Sequence, residues 1–105
     1  MKGDYLGAFE ELVLLAVEAL GADAYAANLQ RQLEREARRP VSLGAVHTSL
    51  ERLEAKALLR SSISAPLAER GGRRRRLFGL TRDGRAALRD VRALRERVAR
   101  LRTSE

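Results

Sequence analysis

A chain of 105 residues, 45% of them apolar, is long enough to close one hydrophobic core and too apolar to be disordered along most of its length. Its 21 lysines and arginines against 14 aspartates and glutamates give a formal charge of +7, a balance that favours an anionic partner such as nucleic acid. Having no cysteine excludes disulfides, thiolate metal sites and cysteine nucleophiles, and one histidine leaves little for proton-transfer chemistry.

The opening MKGDYLGAFEEL carries acidic residues ahead of its apolar run, unlike the basic front of a signal peptide, and LVLLAV is too short to cross a bilayer. A cytoplasmic protein without a membrane partner is expected. From Gly7 to Leu20 only Glu10, Glu11 and Glu18 interrupt the apolar residues, which predicts a helix buried on most sides. Gly21 ends it. Asp23 is the expected cap of a second helix from Ala24 to about Arg38, in which Tyr25, Leu29 and Leu33 recur every four residues. Asn28 and Arg31 on this helix are weak candidates for phosphate contacts, with plain solvent exposure the competing reading.

Ser42 is placed to cap a third helix running to about Lys56, because its hydroxyl accepts from first-turn amides. Leu43, Val46, Leu50, Leu53 and Ala57 follow a 3-4-3-4 spacing that predicts a buried stripe. At about 100° per residue the opposite side carries Gly44, Ala45, Thr48, Glu51, Arg52 and Ala55, with His47 and Ser49 at its edges. The first half of that side is small, uncharged and able to hydrogen-bond.

Next comes LLRSSISAPLA, in which Leu59, Ile63 and Ala65 share a face with Ser61, and after ERGGRRRR the run LFGLT places Phe78 and Leu80 on one face. Two strands joined by a tight turn are predicted. A helix then starts at Thr81 to Asp83 and runs to Arg102, with Ala87, Val91, Leu94, Val98 and Leu101 spaced 4-3-4-3 as in a coiled-coil seam. Such a narrow stripe calls for another helix, the same helix of a second copy being the nearest candidate and packing onto the chain's own domain the alternative.

Three helices, a hairpin and a terminal helix make a mainly α fold with a small two-stranded β wing, the winged helix-turn-helix. Residues 1–81 are expected to form a DNA-binding domain and 82–105 a C-terminal dimerisation helix. In that arrangement Gly71 and Gly72 let the wing turn tightly, and Arg73, Arg74 and Arg75 neutralise phosphates or enter a minor groove. Strand alternation prevents all four arginines from pointing one way, which leaves Arg76 as the structural member. Ser42 and the neighbouring amides suit a phosphate, Gly44 permits close approach, His47, Thr48 and Ser49 are expected to face base edges, and Arg52 and Lys56 suit the backbone. A solvated, charge-rich loop is the competing reading of the wing.

The segments LGAFEELVLLAVEALGADAYA, VSLGAVHTSLERLEAKALLRS and ERGGRRRRLFGLTRDGRAAL resemble, in that order, the PadR family of bacterial transcriptional regulators. The resemblance implies a winged-helix repressor that dimerises through its C-terminal helix and binds a palindromic operator in double-stranded DNA, often with release by a small molecule. The short tail resembles the branch with one C-terminal helix. His47 stands where the family usually has Tyr, and Ala26 where it usually has Gly. With no Trp, the aromatic sandwich by which some relatives hold flat ligands has no counterpart.

No cofactor or metal is expected, and no enzyme. The chain has no Gly-rich phosphate loop opening a helix after a strand, and adjacent Glu10 and Glu11 point about 100° apart on their helix. The expected function is a sequence-specific DNA-binding transcriptional regulator, a dimeric repressor. The alternative is a winged-helix protein-protein interaction module without specific DNA binding.

Overall fold

Helix α1 (Ala8–Leu20) places Val13, Leu14 and Val17 where solvent does not reach them. The other elements assemble around that stripe. In the computed structural model, which describes residues 6–64 and 74–103, a 3-10 turn at Gly21–Asp23 follows, then α2 (Ala26–Ala37) and α3 (Leu43–Ala55). Strands β1 (Leu59–Ile63) and β2 (Arg76–Leu80) form an antiparallel hairpin in which Leu59 faces Leu80 and Ser61 faces Phe78. Helix α4 (Arg82–Ala99) runs into a terminal 3-10 turn at Arg100–Thr103. The fold is mainly α with a two-stranded wing, the winged helix-turn-helix arrangement.

The hydroxyl cap predicted at Ser42 forms, and the helix start expected at Thr81 to Asp83 is capped in the same way. Ser42 Oγ accepts from the Ala45 amide at 2.9 Å, and Thr81 Oγ1 accepts from the Gly84 amide at 3.0 Å. Asp23 does not cap α2. It lies in the 3-10 turn, its carbonyl accepts from the Tyr25 amide and from Asn28 Nδ2, and α2 starts at Ala26 with Tyr25 at the cap position. The cause is the sheet: the Ala24 carbonyl accepts from the Phe78 amide at 2.9 Å, which holds Ala24 in a non-helical conformation along the edge of β2.

The predicted stripe of α3 is narrower than its spacing suggests. Val46, Leu50 and Leu53 are buried, whereas Leu43 at the first helical position is 41% exposed. Ala57 leaves the stripe because the helix has already ended. Its φ of 63° is left-handed, its amide donates to the Glu54 carbonyl and the Leu58 amide to the Leu53 carbonyl, the reciprocal pattern that turns a chain sharply out of a helix. Helix α1 is buried or half-buried over most of its length, with Leu12 the large apolar side chain left exposed. Ile63, expected in the core, is 59% exposed because the hairpin has left the domain at that point. Ala65, Gly71, Gly72 and Arg73 lie outside the described residues.

The long seam of α4 divides. Ala87 and Val91 join Leu88 in burial within their own domain, while Leu94, Val98 and Leu101 are 40%, 56% and 68% exposed. Across α1 and α4, Arg92 reaches Glu18 at 3.1 Å and Arg95 reaches Glu11 at 2.7 Å. At its start, α4 lies so close to the end of α3 that a methyl group on Gly84 would collide with the Leu58 carbonyl, a backbone atom that cannot swing aside. Gly84→Ala is therefore expected to cost about 1–3 kcal/mol of stability, the usual penalty of overpacking. A denaturant titration showing no loss would contradict this close approach.

Candidate nucleic-acid interface

With Val46, Leu50 and Leu53 turned inward, α3 presents Gly44, Ala45, His47, Thr48, Glu51 and Arg52 to solvent. The half nearest Ser42 carries no acid, lysine or arginine. Ser42 Oγ is engaged with the Ala45 amide, which leaves the Leu43 and Gly44 amides at the helix start.

Ser49 departs from its expected place at the base-reading edge. It is only 7% exposed and lines the cleft between α3 and the start of α1, beside Phe9 and Glu10. A residue at the boundary of an apolar stripe can fall on either side of it, and α1 covers this one. Lys56 is also drawn toward α1, where its Nζ donates to Glu10 Oε1 at 2.8 Å. Arg52 stays exposed on the same side of α3. On α2, Asn28 is bonded to the Asp23 carbonyl and Arg31 reaches both the Tyr25 hydroxyl and Asn28 Oδ1, so both side chains are engaged locally.

The arginine run is partitioned. Arg74 is exposed, and Arg75 lies with its guanidinium 4.2 Å from the centroid of the Tyr25 ring. Arg76 donates from Nη2 to Glu54 Oε1 at 2.9 Å and from Nε to Ser61 Oγ at 3.1 Å. Arg76 is thus held by the protein, in keeping with strand alternation. Between the wing base, α2 and α3 lies a cleft of about 260 Å³ lined by Tyr25, His47, Leu50, Arg75 and Phe78. Among the described residues no group of acids and histidine is arranged to hold a metal, and no helix is long and apolar enough to cross a membrane.

Sequence reasoning missed three participants. Tyr25 reads as a core residue, and its ring serves as the seat of Arg75. Glu54 has no place in the sequence reading, yet it is the partner of an arginine 22 residues away. The signal that could have found it was the structural role given to Arg76, since a guanidinium turned toward the protein needs an acceptor. Glu10 had no such signal, since its role depends on how α1 crosses α3.

An exposed uncharged edge on the third helix of a three-helix unit, flanked by a basic hairpin, defines the winged helix-turn-helix class of DNA-binding fold. Within that class the sequence profile of the transcriptional regulator PadR-like family matches residues 13–90, and the chain belongs to that family. It is a family of transcription regulators and not of enzymes. The fold is similar to a PadR family transcription regulator of Clostridium difficile R20291, with a TM-score of 0.74, 25% identity, and coverage of 90% of this chain and 94% of that one. A PadR-like transcription factor of Bacteroides fragilis aligns with a TM-score of 0.73 at 24% identity over 90% of this chain and 86% of its own. RosR of H. salinarum aligns with a TM-score of 0.66 at 25% identity over 96% and 94%. No curated protein matches the sequence.

Burial alone would push the Glu10 carboxyl up, but the Lys56 ammonium, the Gly7 amide and the nearby Arg52 together hold it below its ordinary value of 4.5. A carboxyl depressed in the folded state stabilises the fold above its unfolded value and loses that contribution as pH falls through the folded one. The melting temperature is therefore expected to drop on acidification below about pH 4.5, and Glu10→Gln to flatten that part of the profile. Parallel acid limbs for the two proteins would show that the pair contributes nothing.

Proposed function

We propose that this PadR-like regulator is a dimeric, sequence-specific repressor that acts in the cytoplasm and grips double-stranded DNA with α3 in the major groove and the wing along the backbone. The observation that carries this reading is the exposed edge of Gly44, Ala45, His47 and Thr48 lying on the same domain as an exposed basic wing. A duplex presents hydrogen-bonding base edges to a close-fitting helix and charge to its flanks, and those two surfaces match those two needs.

Each residue takes a role from its place. Ser42 and the first-turn amides hold a phosphate, Gly44 lets the backbone approach, and His47 and Thr48 meet base edges. Arg52 contacts the backbone beside the groove, and Arg73 and Arg74 neutralise phosphates from the wing. Ser49 is left out of the interface by its burial, Lys56 supports α1 through Glu10, and Arg75, exposed and stacked on Tyr25, offers the edge of its guanidinium to the backbone. No cofactor enters this scheme.

Dimerisation is assigned to the distal half of the α4 seam. Leu94 and Val98 on α4, and Leu101 in the 3-10 turn that follows it, are apolar and exposed, and the same segment of a second copy would cover them. Ala87 and Val91 serve the domain's own core and set the direction in which the helix leaves it. Two copies would then offer α3 to successive major grooves, with half-sites roughly one helical turn apart.

Selection of bound fragments from genomic DNA against bulk competitor should yield one or a few preferred duplexes, and absence of any preference across salt concentrations would reject sequence-specific reading. On a preferred duplex, Arg73→Ala with Arg74→Ala should weaken binding and reduce the salt slope by about one per lost phosphate contact. Unchanged affinity would favour the protein-protein interaction module instead. Leu94→Glu combined with Val98→Glu should halve the mass measured by light scattering, and a wild-type monomer that reads its site fully would remove the dimer.

A further inference from the structure

We propose that Glu54 sets the DNA affinity of this protein without touching DNA, by fixing the wing against the reading helix. The proposal rests on the DNA-binding reading given above. A two-stranded hairpin is marginal by itself, and one that must be ordered at the moment of binding spends part of the interaction on that ordering. The root of this hairpin is secured by burial of Leu59, Phe78 and Leu80 and by the bond from the Phe78 amide to the Ala24 carbonyl. Further out along β1, Ser62 and Ile63 are already exposed, as is Arg76 opposite Ile63.

At that boundary both strands converge on one carboxylate from the last turn of α3. Ser61 of β1 donates from Oγ to Glu54 Oε2 at 2.7 Å, and Arg76 of β2 donates from Nη2 to Glu54 Oε1 at 2.9 Å. The triangle closes when Arg76 Nε donates to Ser61 Oγ at 3.1 Å, so the hydroxyl gives one bond and accepts another. The Arg76 guanidinium also sits 5.4 Å from the Phe78 ring centroid, which ties the triangle to the core. Arg75 holds the wing to the start of α2 through Tyr25, so two neighbouring arginines link the wing to both helices of the helix-turn-helix.

The choice of an acid here runs against two simpler demands. A carboxylate in the last turn of α3 opposes the helix dipole, and on a face meant for a polyanion it repels phosphates. Long-range charge therefore predicts that neutralising Glu54 tightens DNA binding. Positioning predicts the opposite sign, and the two are separable by experiment.

The test uses the full chain and a duplex selected by the wild type, with affinity measured by fluorescence anisotropy across a salt series. Glu54→Ala is expected to weaken binding about tenfold, a typical coupling within one hydrogen-bonded network, and to make the salt dependence shallower. Glu54→Gln keeps one oxygen to accept from Arg76 Nη2 and gains an amide that can donate to Ser61 Oγ, and should restore most of the loss. Ser61→Ala cuts the triangle with no change of charge and should weaken binding in the same direction. In the Glu54→Ala background, the added cost of Arg74→Ala should shrink, because the wing it belongs to is no longer held. Thermal melts confirm that each variant is folded at the assay temperature, and should Glu54→Ala not be, Ser61→Ala and Glu54→Gln decide. Glu54→Ala and Ser61→Ala binding as tightly as the wild type, with its salt slope, would overturn the proposal. A wild type that selects no duplex would instead overturn the DNA-binding reading itself.

Discussion

Val46, Leu50 and Leu53 must all stay out of water at once, and α3 has only one rotation about its axis that allows it. Their burial is worth about 1.5–3 kcal/mol per side chain, against a few tenths to about 1 kcal/mol for a partly exposed ion pair such as Arg76 with Glu54. The core therefore fixes which side of α3 faces outward, and the polar contacts at its ends only adjust what is attached to it. Turning the helix by a single residue would bring His47, Glu51 and Glu54 toward the core and expose Val46. Gly44, Ala45, His47 and Thr48 form one edge because the opposite stripe leaves them no other place.

The elements that could be read from the sequence are those whose causes lie within a few residues. Ser42 is legible as a cap, and Thr81 as the start of a helix, because a hydroxyl and an amide three positions on satisfy each other wherever the chain is. Phe78 and Leu80 are legible because a strand's period assigns them one face. The misreadings share a long-range cause. Ala24 looks helical by propensity but is taken by a bond to Phe78, and Ser49 lies where only the crossing of α1 decides its exposure. Ile63 has the right parity for the core and lies beyond its edge.

For the candidate interface, the sequence identified the helix face and the wing but not the division of labour among the arginines. Parity singled out Arg76 without naming its partner. Arg75 could not be separated from Arg74, because the Tyr25 ring becomes available only once α2 packs beside the hairpin. The seam of α4 is a similar case. Five positions share one spacing, and only the fold shows that the first two are spent internally while the last three remain uncovered. Glu11 and Glu18, paired with Arg95 and Arg92, lie along the same helix contact and help hold α4 to α1.

The joint at Leu58 links these two halves of the molecule. Its carbonyl accepts from the Thr81 amide at 3.1 Å and abuts Gly84, while Thr81 Oγ1 donates to the Ala57 carbonyl at 2.7 Å, so the exit from α3 and the start of α4 are pinned to each other. Although the hairpin separates them in sequence, the element that would read a sequence and the element that would join two copies meet directly at this joint. In the proposed dimer this stiffness works as a ruler. The pair would gauge the separation between two sites as strictly as their letters, and an insertion of half a turn between them would be rejected even with every base intact.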